Sequence, residues 1–108
     1  MVTPKNSFAG PAPHVGDLAT LHYPADNYPY IVTAVSANGA KVTLAELAPA
    51  AATPARFAGP YPVWDCDGDP ARPTGHVVNA YRNNFGYAVG RSTPISFGRA
   101  RYYRDYSD

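Results

Sequence analysis

Arginine and tyrosine are the side chains of this sequence whose types and spacing best suit chemistry. Arg82, Arg91, Arg99, Arg101 and Arg104 fall within a window, Tyr81 to Arg104, that holds no Asp or Glu, and they alternate with Tyr81, Tyr87, Tyr102 and Tyr103. Guanidinium groups present forked donors that match phosphate oxygens, and tyrosine rings stack on bases. Together they suit a small phosphorylated or nucleotide-like ligand. If residues 97–105 form a strand, Phe97, Arg99, Arg101 and Tyr103 share one face, and Gly98, Ala100, Tyr102 and Arg104 share the other. Arg99 and Arg101 would then pair with phosphate, and Tyr102 or Tyr103 would stack on a base. Arg82, Tyr87 and Arg91 are second candidates. Tyr23 and Asp26, in the first loop, would complete a pocket, with Asp26 accepting a hydrogen bond from a base edge or ribose. The same pattern also has a purely structural reading, in which tyrosines fill the core and arginines are solvated edge charges that oppose sheet-to-sheet pairing.

Other chemistry fails on spacing. Asp65-Cys66-Asp67-Gly68-Asp69 alternates three carboxylates, but a calcium loop places Gly after the third acid and Glu further on. Here Gly68 precedes that acid, Pro70 follows it and His76 holds the Glu position, so the segment reads as a solvated surface turn. His14, His22 and His76 lack metal-ligand spacing. Cys66 sits among acids, which oppose thiolate formation. Ser92 is not in a nucleophile elbow, and no phosphate-binding glycine loop occurs. No acid, base and nucleophile come together. The expectation is a binding protein and not an enzyme, with no cofactor and no metal.

The elements that must carry these residues are set by proline and glycine. The chain has 108 residues with 12 Pro and 9 Gly, and no stretch free of both exceeds ten residues. Helices under about 12 residues are marginal and an internal Pro costs about 3 kcal/mol, which excludes a helical bundle, a coiled coil and a membrane-spanning helix. One domain is expected at this length. A formal net charge of +1 gives no bulk attraction to long nucleic acid or to a membrane. A lone cysteine and an N-terminus without an apolar run predict a cytoplasmic protein without a signal peptide.

Along the chain, residues 1–13 read as a flexible lead-in and 14–108 as the domain. Residues 18–23 form a first strand with Ala19, Leu21 and Tyr23 on its apolar face. Residues 30–36 and 40–45 flank Asn38-Gly39, the preferred pair for a two-residue type I′ hairpin. The register that follows sets Val35 opposite Val42, Thr33 opposite Leu44 and Ile31 opposite Glu46. Residues 48–62 read as a long connector. Residues 63–65 and 74–81 are strands around the Asp-rich turn, 86–90 is a short strand and 97–103 the last. The expected fold is all-β, a single small SH3-like or OB-like barrel of about five to seven short strands with long Pro/Gly loops.

The run Gly16-Asp17-Leu18-Ala19-Thr20-Leu21-His22-Tyr23-Pro24-Ala25-Asp26, with Pro29-Tyr30-Ile31-Val32 and the end Gly98-Arg99-Ala100-Arg101-Tyr102-Tyr103-Arg104-Asp105-Tyr106-Ser107, resembles a group of small phage and prophage accessory proteins. The resemblance covers about half the chain. It implies a phage-encoded protein acting in the host cytosol, where small non-catalytic proteins often inhibit defence, some as sponges for nucleotide-type immune signals. The leading expectation is capture of such a ligand, at a site of the kind that lies between protomers of a homo-oligomer. The alternatives are an inhibitor that blocks a host protein through exposed Tyr and Arg, and a minor virion or assembly component.

Overall fold

The computed structural model describes residues 12–84 and 86–105; the lead-in expected over residues 1–13 thus lies outside the described residues up to Pro11. The described chain is all-β, with eight strands where five to seven were expected: β1 (Leu18–His22), β2 (Asn27–Val35), β3 (Lys41–Pro49), β4 (Arg56–Ala58), β5 (Tyr61–Asn83), β6 (Gly86–Val89), β7 (Thr93–Phe97) and β8 (Arg101–Asp105). All pairings are antiparallel, and they close a circuit from β1 through β7, β6, β5, β3 and β2 back to β1. Inside lie Ala19, Leu21, Tyr30, Val32, Val42, Leu44, Ala80, Tyr87 and Ile95. Among the described residues, no helix is long and apolar enough to cross a membrane.

The β2–β3 hairpin forms where the sequence places it, with two corrections. Val35 does face Val42, but Val32, not Thr33, faces Leu44, and Tyr30, not Ile31, faces Glu46. Thr33 is an extra residue, a β-bulge between Val32 and Ala34. A bulge lets residues three apart point the same way, so Val32 enters the core while Val35 packs against it. The turn is also not type I′. The Gly39 amide donates to Ser36 O at 2.9 Å, so Ala37 and Asn38 are its central pair. Asn38 keeps a negative φ and only Gly39 is left-handed, at +73°. The Asn38 side chain instead caps the loop, its Oδ1 accepting from the Ala40 amide at 3.0 Å.

Two further expectations change downstream. The 48–62 connector contains the tail of β3 and all of β4, and the Asp-rich turn is no turn: it lies within β5, a single 23-residue strand. One end of β5 pairs with β4 and β8, the other with β3 and β6. Register shifts against β3 between Ala45 and Leu47, and between Leu47 and Ala48, accommodate Pro70, Pro73 and Gly75 as bulged, solvent-facing strand. At Gly68 the backbone of β5 approaches β2 so closely that a Cβ would lie 2.4 Å from Pro29 Cβ.

The last strand expected over 97–103 is two strands, β7 and β8, divided at Gly98. Gly98 has φ +109°, open to glycine at little cost. There the chain leaves β1 and crosses to β5 and β2. Thr20, 3% exposed, fixes that crossing: its hydroxyl donates to Arg99 O at 2.6 Å and accepts from the Arg101 amide at 3.0 Å.

Candidate functional site

The arginines of the expected anion site already face anions. Arg99 Nε donates to Asp67 Oδ1 at 2.9 Å, and Arg101 forms an ion pair with Asp65. Arg72 approaches Asp69 at 4.0 Å. The three alternating carboxylates, on one face of β5 by strand periodicity, are thus each matched by a guanidinium. Among the described residues, no group of three His, Cys, Asp or Glu side chains could hold a metal ion.

The remaining candidates are dispersed. Tyr87 is a core residue, 3% exposed, whose hydroxyl donates to Gly39 O and whose ring meets Phe97 edge-on at 5.5 Å. Arg82 lies over the Tyr87 ring, 5.9 Å from its centroid. Arg91 is exposed in the link between β6 and β7, and Tyr103 is half-buried on β8. Tyr102, also on β8, packs between Tyr28 and Trp64 with ring centroids 6.0 Å from each.

Tyr23 and Asp26, by contrast, come together in a groove of about 490 Å³, lined also by Pro24, Ala25, Tyr28, Tyr30, Glu46 and His76. Local chemistry explains each wall. Pro24-Ala25 form a tight link from β1 to β2, closed by the Tyr23 amide donating to Asp26 O at 2.8 Å. His22 anchors the base of that link through Asn27 (3.0 Å) and Ser96 (2.7 Å). Tyr28 and Tyr30, two apart on β2, point to the same side. Glu46 shares the Val42 and Leu44 face of β3 by strand alternation, and the Thr33 bulge turns Tyr30, in place of Ile31, toward it, since one residue of slip exchanges the faces of a strand. The bulged part of β5 supplies His76, and its Thr74 hydroxyl donates to Glu46 Oε1 at 2.9 Å.

The groove is aromatic in shape and acidic in charge. Tyr30 is its floor, 3% exposed, while Tyr23 is its rim, 45% exposed. Tyr23 meets Tyr28 edge-on at 5.5 Å. From Tyr28 the rings of Tyr102 and Trp64 continue the aromatic surface, and Arg104 lies over Tyr28 at 6.0 Å. Burial, with the negative field of Glu46 behind it, pushes the Tyr30 hydroxyl well above its usual range. It therefore stays a donor throughout the physiological range, and it makes no hydrogen bond among the described residues.

Sequence reasoning found Tyr23 and Asp26 but missed Tyr28, Tyr30, Glu46 and His76. The signal for Tyr28 and Tyr30 is their i, i+2 spacing, but the strand expected there begins only at residue 30, whereas β2 begins at Asn27. Strand alternation already set Glu46 on the Val42 and Leu44 face, but not beside Tyr30, which the β2 bulge turns to it, and His76 had no local signal because the register shifts of β3 against β5 bring it in. No family model, curated protein or solved structure matches the chain.

Proposed function

We propose that this chain is a non-catalytic protein-interaction module that takes an extended polypeptide segment in the groove between the β1–β2 link, β2, β3 and β5. The observation that carries the reading is the groove itself, with Tyr23 and Tyr28 as apolar walls and Tyr30 on its floor offering its hydroxyl as a donor to whatever occupies the groove. A peptide carbonyl is a matching acceptor, and an extended chain can continue onto the Tyr102 and Trp64 rings, in the manner of aromatic-lined peptide grooves. Capture of a phosphorylated ligand fits less well, because Arg99 and Arg101 would have to exchange Asp67 and Asp65 for the phosphate. The phage resemblance and the lone Cys66 support a setting in host cytosol, where blocking a host protein is the form this activity would take.

The test is selection from a random peptide library on the immobilised chain, run in parallel on Tyr23→Ala. Tyr23 is exposed enough that its loss spares the fold. Peptides enriched on the natural chain and lost on Tyr23→Ala are expected. Equal recovery on both, or none on either, overturns the reading.

A further inference from the structure

The carboxylates of this protein are not equivalent. Asp17 faces His14, Asp65 faces Arg101, Asp67 faces Arg99 and Asp69 faces Arg72. Asp26 and Glu46 have no basic side chain in ion-pair range among the described residues, and both line the groove. The Tyr28 hydroxyl reaches Asp26 only at 3.4 Å, and Thr74 occupies one oxygen of Glu46, so acceptor capacity is left over on each. Against these two anions the lining sets one titratable base, His76.

The rings add to that field. A tyrosine face attracts a cation electrostatically when it lies within about 6 Å of the centroid. The cluster already does this with the chain's own Arg104, over Tyr28 at 6.0 Å. Tyr23, at the rim, completes a site with aromatic walls and two carboxylates. Such a site repels a phosphate and desolvates a guanidinium or ammonium at low cost, because the lost water contacts are replaced by carboxylate oxygens and ring faces.

We infer that the groove selects its peptide by a single basic side chain, an arginine or lysine of the partner seated between Tyr23, Tyr28, Asp26 and Glu46. This rests on the peptide-groove reading above and deepens it. The backbone of the partner is held by the Tyr30 donor, and the charge of one residue fixes register and specificity, since a neutral residue there leaves both carboxylates without a counter-ion.

The experiment takes the peptides enriched by the natural chain and measures their binding calorimetrically, together with versions in which each arginine becomes citrulline and each lysine norleucine. These replacements keep shape and remove charge. One basic position is expected to be fixed among the enriched peptides, and its neutral isostere is expected to bind about tenfold more weakly. Asp26→Asn combined with Glu46→Gln should weaken the charged peptide by a similar factor and leave the isostere unchanged, with the thermal melt unaltered. Enriched peptides without a fixed basic position, or isosteres that bind as well as the parents, overturn the charge selection while the peptide groove stands. Absence of any peptide that distinguishes the natural chain from Tyr23→Ala overturns both.

Discussion

Replacing Thr20 with valine keeps side-chain shape and removes one oxygen, which the fold uses twice. The hydroxyl donates to Arg99 O and accepts from the Arg101 amide, and the residue is 3% exposed. A buried backbone group left without a partner costs about 1–3 kcal/mol, so two cost about 2–4 kcal/mol after partial relaxation. The added apolar surface of valine returns up to about 0.8 kcal/mol, leaving a net loss of about 1–3 kcal/mol against a typical domain stability of about 5–15 kcal/mol. With an m-value of about 1.5 kcal/mol/M, the urea midpoint should fall by about 0.7–2 M at unchanged m. Thr20→Ser, which keeps both bonds, should fall by much less, and amide exchange at Arg101 should accelerate in the valine variant alone. A valine variant whose midpoint matches that of serine would refute the argument that this hydroxyl pins the β7–β8 crossing.

Three further outcomes follow from the same geometry. Gly68→Ala should lower thermal stability by the equivalent of about 1–3 kcal/mol, as overpacking does, because its Cβ would sit 2.4 Å from Pro29; an unchanged melt would show that β2 and β5 approach less closely. Tyr30 has a folded pKa raised above its ordinary value of 10.0 by burial and then by Glu46. The unfolded chain therefore releases this proton first, and stability falls as pH rises above about 10; the drop relative to Tyr30→Phe, followed by urea titration, should begin there, and its absence would contradict the assignment. A double-mutant cycle on Arg101 and Asp65, whose side chains are each 35% exposed, should give a coupling of at most about 1 kcal/mol that shrinks in salt; a larger, salt-independent coupling would contradict it.

The legible parts of the fold were those governed by neighbours in sequence. Proline and glycine spacing excluded helices, and the β-branched runs around Asn38-Gly39 located β2 and β3. What was illegible depended on partners. The Thr33 bulge exists because Val32 and Val35 both gain from the core, which no local pattern records. Asp67-Gly68-Asp69-Pro70 has the composition of a turn, yet β3 on one side and β8 on the other hold it extended. Gly98 sits inside an apparently regular run and divides it, so the face assignment of Arg99 and Arg101 derived from one strand does not apply. The site suffered the same loss. Tyr23 and Asp26 lie close in sequence and were found together, whereas Tyr30 turns to Glu46 only through the β2 bulge and His76 arrives from the register-shifted part of β5. Clustering of like residues along the chain pointed to the arginines, and the fold then supplied Arg99 and Arg101 with Asp67 and Asp65.

Chemical-shift mapping of the isotope-labelled chain with its tightest selected peptide tests the central claim most directly. The account predicts that the largest changes fall on Tyr23, Asp26, Tyr28, Tyr30 and Glu46, with smaller ones reaching Tyr102 and Trp64. Changes centred instead on Arg99, Arg101, Asp65 and Asp67, with the groove silent, would contradict it.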